Sequence, residues 1–203
     1  MKKSQILIFS FLSLLFIQKT NAQWSITPNI GVNNARIIIP RSPYKTDIEA
    51  ANFVAVGIAP RYRFSKRIAV ETNFQYSEKG EKRIKASYID IIPTLEYSPL
   101  PYLSIYSGVS IGRKLFERIS YDNKTWEKHR LGRSLYGNYN IGALLGVRAK
   151  YKNLQLSFHA DRGLNPQSKI TFTNDNGDVT NVLKEYLLVY QLTLGYSISL
   201  GEK

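Results

Sequence analysis

Four acidic and four basic side chains recur in positions that a β-strand would turn to one side: Glu71, Asp90, Glu96 and Asp161 against Arg61, Arg63, Arg148 and Lys150. Residues two apart on a strand share a face. Eight charges on shared faces can form a charged gate, an acid–base cluster or a set of mutually satisfied ion pairs. The last reading leads, because removing one partner of a buried pair costs about 3–5 kcal/mol. If the segments on either side of Lys66 fold back on each other, Arg61 stands directly opposite Glu71. His159 and Asp161 share that face and suggest acyl-group chemistry on a lipid. Such chemistry needs its groups at the lipid side or the rim rather than inside, and no His-x-Ser pattern accompanies them. His129 sits between Lys128 and Arg130 and reads as solvated. Two His and no Cys leave no set of protein metal ligands. Asp175-Asn-Gly-Asp178 resembles half a calcium loop, but the later bidentate Glu is missing, so it reads as a turn. Neither a cofactor nor a metal is expected.

The elements that must position these charges are strands. Ile68, Val70, Thr72, Phe74 and Tyr76 alternate with Ala69, Glu71, Asn73, Gln75 and Ser77. Leu154, Leu156, Phe158 and Ala160 alternate with Gln155, Ser157, His159 and Asp161. The same period of two marks residues 24–32, 54–64, 89–97, 103–111, 139–151 and 188–200, making eight candidate strands. Each is near the roughly 9–11 residues that a tilted membrane strand needs. The apolar face closes on aromatics, among them Trp24, Phe64, Tyr76, Tyr97, Tyr139, Tyr151 and Tyr196, as interfacial girdles do. The other face, rich in Gly, Ser and Asn, suits a narrow interior. Connections alternate long and short: residues 34–52, 65–67, 78–87, 98–101, 113–134, 152–153 and 165–185. This rhythm fits an eight-stranded antiparallel up-and-down transmembrane β-barrel with short periplasmic turns and long extracellular loops. A soluble barrel would have to turn Arg61, Glu71 and Arg148 outward and the apolar face inward.

Composition agrees. The 203 residues suffice for one domain, and the mean hydropathy of -0.24 excludes a helical membrane bundle but not a barrel. The net charge of +13 on an exported chain points to anionic lipid and lipopolysaccharide rather than nucleic acid. The absence of Cys removes disulfides, thiol nucleophiles and a lipoprotein anchor. Lys2 and Lys3, the apolar residues 6–17 and Thr20-Asn-Ala22 read as a cleaved Sec-type export signal over residues 1–22. The barrel domain then covers residues 23–203.

Pro28, Pro60 and Pro93 fall inside strands, which predicts bulges or strand ends there. The Gly-poor, charged stretch 113–134 is open to extending a strand. Thr193-x-Gly195-x-x-Ile198-x-Leu200 has the form of a C-terminal signal read by the outer-membrane barrel assembly machinery, with Leu200 in the usual aromatic place. An interior just filled by side chains argues against a passive pore. The expected function is therefore a small non-enzymatic outer-membrane protein with a structural, adhesive or assembly role. The alternative is an enzyme that modifies lipid A.

Asn140-Ile-Gly-Ala-Leu-Leu-Gly-Val-Arg-Ala-Lys-Tyr151, the tight turn after it and Leu154-Gln-Leu-Ser-Phe-His-Ala-Asp-Arg-Gly-Leu164 resemble the penultimate hairpin of PorT-like outer-membrane β-barrel domains of Bacteroidetes. Tyr88-Ile-Asp-Ile-Ile-Pro93 resembles the strand of those proteins that carries an Ile-Pro step. The resemblance covers most of the mature chain and implies the fold and an outer-membrane location. By family analogy alone it also implies a link to protein secretion.

Overall fold

The computed structural model describes residues 23–40, 49–120, 125–128, 135–174 and 178–200. The segment 1–22, His129 and residues 175–177 of the expected turn lie outside them. Among the described residues eleven strands follow in chain order: β1 (Gln23–Ile38), β2 (Ala51–Arg63), β3 (Ile68–Gly80), β4 (Ile84–Leu100), β5 (Leu103–Ile119), β6 (Glu127–Lys128), β7 (Tyr139–Tyr151), β8 (Leu154–Gly163), β9 (Ser168–Thr173), β10 (Val179–Tyr196) and β11 (Ile198–Ser199). Each neighbour pairs antiparallel, and β1 pairs with β10 to close the ring. The ring thus has eight staves: β1, β2, β3, β4, β5, β7, β8 and β10. The short β11 continues β10 past Ser197 in the same register, with Ile26 opposite Ile198 and Asn29 opposite Gly195.

The period-two pattern sorts the faces. On β7, Ile141, Ala143, Leu145 and Val147 are exposed, while Gly142, Leu144, Gly146 and Arg148 are buried. The same holds round the ring, so Ile30, Val56, Phe74, Ile91, Phe158 and Leu192 all face outward uncovered. A contiguous apolar surface of this extent does not persist in water, but it is what acyl chains solvate. At the short-turn end it is edged by Trp24, Phe64, Tyr97, Tyr102, Tyr151 and Tyr196. Trp24, Tyr62 and Phe64 form a run of ring contacts, with centroids 4.9 and 4.8 Å apart.

The prolines do not make bulges. Pro60 lies between Ile58↔Phe74 and Arg61↔Glu71, and Pro93 between Ile91↔Ile111 and Thr94↔Gly108. Pro28 interrupts the ladder to β10 and β11 in the same way. In each case pairing lapses on one side only and the register is unchanged. A strand residue aims its N–H at one neighbour, so a proline removes a bond from one ladder and leaves the other whole. The register of β4 against β5 shifts instead between Ser87 and Tyr88, and again between Tyr97 and Leu100 beside the turn.

The long-loop end also departs from the sequence reading. The expected loop 78–87 is mostly ladder, with Glu78↔Ser87, Lys79↔Ala86 and Gly80↔Lys85 in register. Gly80 turns the chain at φ 150°, and a Cβ there would meet the Ile84 carbonyl oxygen at 2.1 Å. β5 continues through the expected loop as far as Ile119, and β9 pairs with the start of β10 inside the expected loop 165–185. The barrel wall therefore rises beyond the apolar band.

Candidate functional site

The lumen is the place where charged side chains converge, and it is stacked in three layers. The lowest lies near the short turns. There Arg148 reaches across the barrel to Glu71 at 2.5 Å and to Glu96 at 2.7 Å, and donates Nε–H to Ser157 at 2.9 Å. Arg61 donates to Glu96 at 2.6 Å, and Lys150 is paired with the same carboxylate. Ser98 donates a further hydrogen bond to Glu96. The guanidinium of Arg148 lies 4.9 Å from the Tyr106 ring centroid, and the Tyr106 hydroxyl lies 3.1 Å from His159 Nδ1. Three cations thus share two carboxylates, with Glu96 fully buried among them.

The middle layer centres on Asp90. Lys79 sits 2.9 Å from its carboxylate, Ser77 donates at 2.6 Å and Gln75 at 3.3 Å. Gln75 is joined to Gln191 across the lumen. Asp161 accepts from Ser110 at 2.7 Å, and its other oxygen has no protein partner among the described residues. A cavity of about 40 Å³ between these layers, bounded by Glu71, Tyr106, Arg148, His159 and Gln191, has room for only a few waters.

The upper layer is apolar. Ile37, Ala86, Tyr88 and Leu187 point inward and pack with Tyr136, which precedes β7. Gln167 accepts from the Tyr88 hydroxyl at 3.3 Å and from the Gly137 amide at 2.7 Å, tying the closing segments together. Glu117 on the raised part of β5 accepts from the amides of Tyr136 at 2.8 Å and Leu135 at 3.1 Å, and pairs with Lys114. Burial alone would raise this carboxyl; Lys114 and the two amides outweigh it and hold it below the ordinary carboxylate range. Burying each large side chain of this plug contributes about 1.5–3 kcal/mol.

Arg61, Glu71, Glu96, Arg148 and Lys150 are therefore brought together, while Asp90 and Asp161 stand apart from them in the middle layer. Arg63 lies outside the network, half-buried at the mouth of the short-turn end. Arg61 and Glu71 are ladder neighbours, yet each takes its ion-pair partner from another strand. Sequence reasoning missed Lys79, Gln75 and Gln191. The signal is in the sequence, since Ser77 and Lys79 continue the inward parity of Gln75, but the charged stretch 78–87 reads as a loop. His159 faces the lumen while Phe158, beside it, faces lipid. That placement gives the imidazole no access to an acyl chain, and the lipid A enzyme reading finds no support in it. Thr193 and Gly195 face inward on β10, and Ile198 and Leu200 are exposed.

The sequence matches no protein-family model and no curated protein. Among solved structures, the chain is similar to Ail, the attachment invasion locus protein of Yersinia pestis. That likeness has 16% identity and a TM-score of 0.52, and covers 88% of this chain and 100% of that one. The fold is that of a small outer-membrane β-barrel. Two further similarities are weaker. Neisserial surface protein A shares 10% identity over 84% of this chain and 96% of its own, at a TM-score of 0.49. OprG of Pseudomonas aeruginosa shares 12% over 87% and 96%, at 0.42.

Proposed function

We propose that this chain is a non-enzymatic outer-membrane protein with an adhesive role, in which a sealed barrel carries a projecting β-hairpin. The observation that carries the reading is the hairpin of β9 and the first part of β10. Above Glu185 and Ser168 these strands pair only with each other, and Ile170, Phe172, Val179 and Val182 stand exposed on them. Exposed apolar side chains raised beyond the bilayer are a recognition surface rather than a stabilising one. The filled lumen disfavours both a passive pore and secretion through the barrel. Ile170→Ser with Phe172→Ser should lower adherence of expressing cells to protein-coated surfaces several-fold while the barrel keeps its heat-modifiable gel migration. Unchanged adherence would count against the hairpin.

The bilayer partner of this reading is the lipopolysaccharide leaflet. Arg36 and Arg162 face outward on either side of Leu188 in one ladder row, a spacing suited to phosphate groups at the headgroup level. The PorT-like resemblance points to a Bacteroidetes source, and Lys2, Lys3, the apolar residues 6–17 and Thr20-Asn-Ala22 support a cleaved export signal over residues 1–22. Thr193, Gly195, Ile198 and Leu200 are the contact for the barrel assembly machinery, because a last strand with unpaired backbone groups can pair with an open edge. Gly195 has little space, since a Cβ there would lie 2.7 Å from Thr27 Cγ2. Gly195→Asp with Leu200→Ser should leave Gln23 as the mature N-terminus but strand the protein, unfolded, in the periplasm. Wild-type insertion of that variant, or a retained residue 1–22, would overturn the respective assignment.

A further inference from the structure

The short-turn mouth carries a charge imbalance that the lumen network does not neutralise. A groove of about 390 Å³ opens there between the β2–β3 and β4–β5 turns, lined by Arg63, Lys66, Arg67, Ser98 and Lys150 with the adjoining prolines. Among the described residues no carboxylate lines it. The nearest acid, Glu96, is already shared by Arg61, Arg148, Lys150 and Ser98. The groove is built on fixed backbone. Ser65 Oγ accepts from the amides of Arg67 at 3.2 Å and Ile68 at 3.1 Å, and the Ser98 amide donates to the Arg67 carbonyl at 2.7 Å. The Lys150 amide donates to the Tyr102 carbonyl at 2.8 Å, which ties the end of β7 to the β4–β5 turn.

The depth of the groove indicates what it takes. Phe64, Ile68, Tyr97, Leu100 and Tyr102 surround it and are exposed on the outer wall. Aromatic belts of this kind lie at the headgroup level, so the four cations are held where lipid phosphates are. We propose that this mouth is a binding site for the phosphate of an anionic phospholipid in the inner leaflet, held by Arg63 and Lys150 within and by Lys66 and Arg67 at the rim. Guanidinium groups grip phosphate oxygens in pairs, and the lysines add charge at short range. The site goes beyond the surface role proposed above and faces the opposite side of the membrane.

The test uses the purified full barrel in detergent micelles holding equal phosphatidylglycerol and phosphatidylcholine, read by native mass spectrometry. Wild type should retain phosphatidylglycerol in preference to phosphatidylcholine, and the preference should fall as salt is raised. Lys66→Glu with Arg67→Glu should reduce that retention by roughly tenfold or more, since each cation near an anionic surface contributes substantially. Lys169→Glu, exposed on β9 at the far end, should leave it unchanged. Heat-modifiable migration of each variant separates lost binding from a lost fold. In a second arm, inorganic phosphate is titrated into phosphatidylcholine micelles. If phosphate binds at the mouth while phosphatidylglycerol shows no preference, the ligand is a soluble anion and the lipid assignment falls. Equal retention of both lipids by wild type, or undiminished retention by the double variant, overturns the site.

Discussion

Glu96→Gln should destabilise the barrel by about 3–5 kcal/mol, because it removes one of the two carboxylates that hold the buried Arg61 and Arg148 and the partly buried Lys150. Arg61 and Lys150 would lose their ion-pair partner, the only one each has among the described residues, and Arg148 would keep Glu71. An uncharged amide can still accept a hydrogen bond, but it cannot offset the charge left inside. The cost should appear as a lower urea midpoint for unfolding from lipid vesicles. Glu49→Gln is the comparison. Its pair with Lys82 is exposed near the long-loop end, so the midpoint should stay close to that of wild type. Similar midpoints for the two variants would show that the lower layer does not depend on its charges.

Leu145→Arg should cost about 2–4 kcal/mol, the penalty of a cation facing acyl chains near mid-bilayer. Leu145 is 63% exposed on the outer wall, between the outward Ala143 and Val147. Gly146→Ala faces the lumen and would cost less if the interior had room for a methyl group. It is crowded. A Cβ at Gly146 would lie 2.5 Å from Tyr106 Cζ and 2.6 Å from the Phe158 carbonyl oxygen. The ring can move, but the carbonyl belongs to the β7–β8 ladder and cannot move alone. Overpacking of this kind costs about 1–3 kcal/mol, so the gap between the two variants narrows. Thr171→Arg on β9, outside the band, should be near neutral. If Leu145→Arg and Thr171→Arg unfold at the same urea concentration, the outer wall does not face lipid.

The faces of the eight staves were legible because alternation survives wherever one side meets lipid and the other a narrow lumen. Legibility failed where that contrast ends. Above the apolar band the wall has water outside, and its inner side becomes apolar at Ile37, Tyr88 and Leu187. Lys79, Lys85 and Glu117 therefore read as loop although each lies on a strand. The interior charges could be named from parity alone, but not paired. Adjacency in a ladder fixes Cα neighbours, whereas a long side chain in a narrow tube reaches the far wall. Thus Arg148 meets Glu71 from a strand that is not its neighbour. Arg63 carried the right parity but the wrong depth, since the last inward residue before a turn lies in the mouth.

The outer wall meets acyl chains, and cysteine labelling tests this most directly. The chain has no Cys, so one introduced cysteine takes one fluorescent label. Leu145→Cys and Leu192→Cys should each give a label that is quenched by lipids brominated along the acyl chain, and both thiols should react slowly with a membrane-impermeant maleimide. Thr171→Cys should react fast and show no quenching. A Leu145 thiol that reacts as fast as the Thr171 thiol, with a label untouched by brominated lipid, would contradict the account.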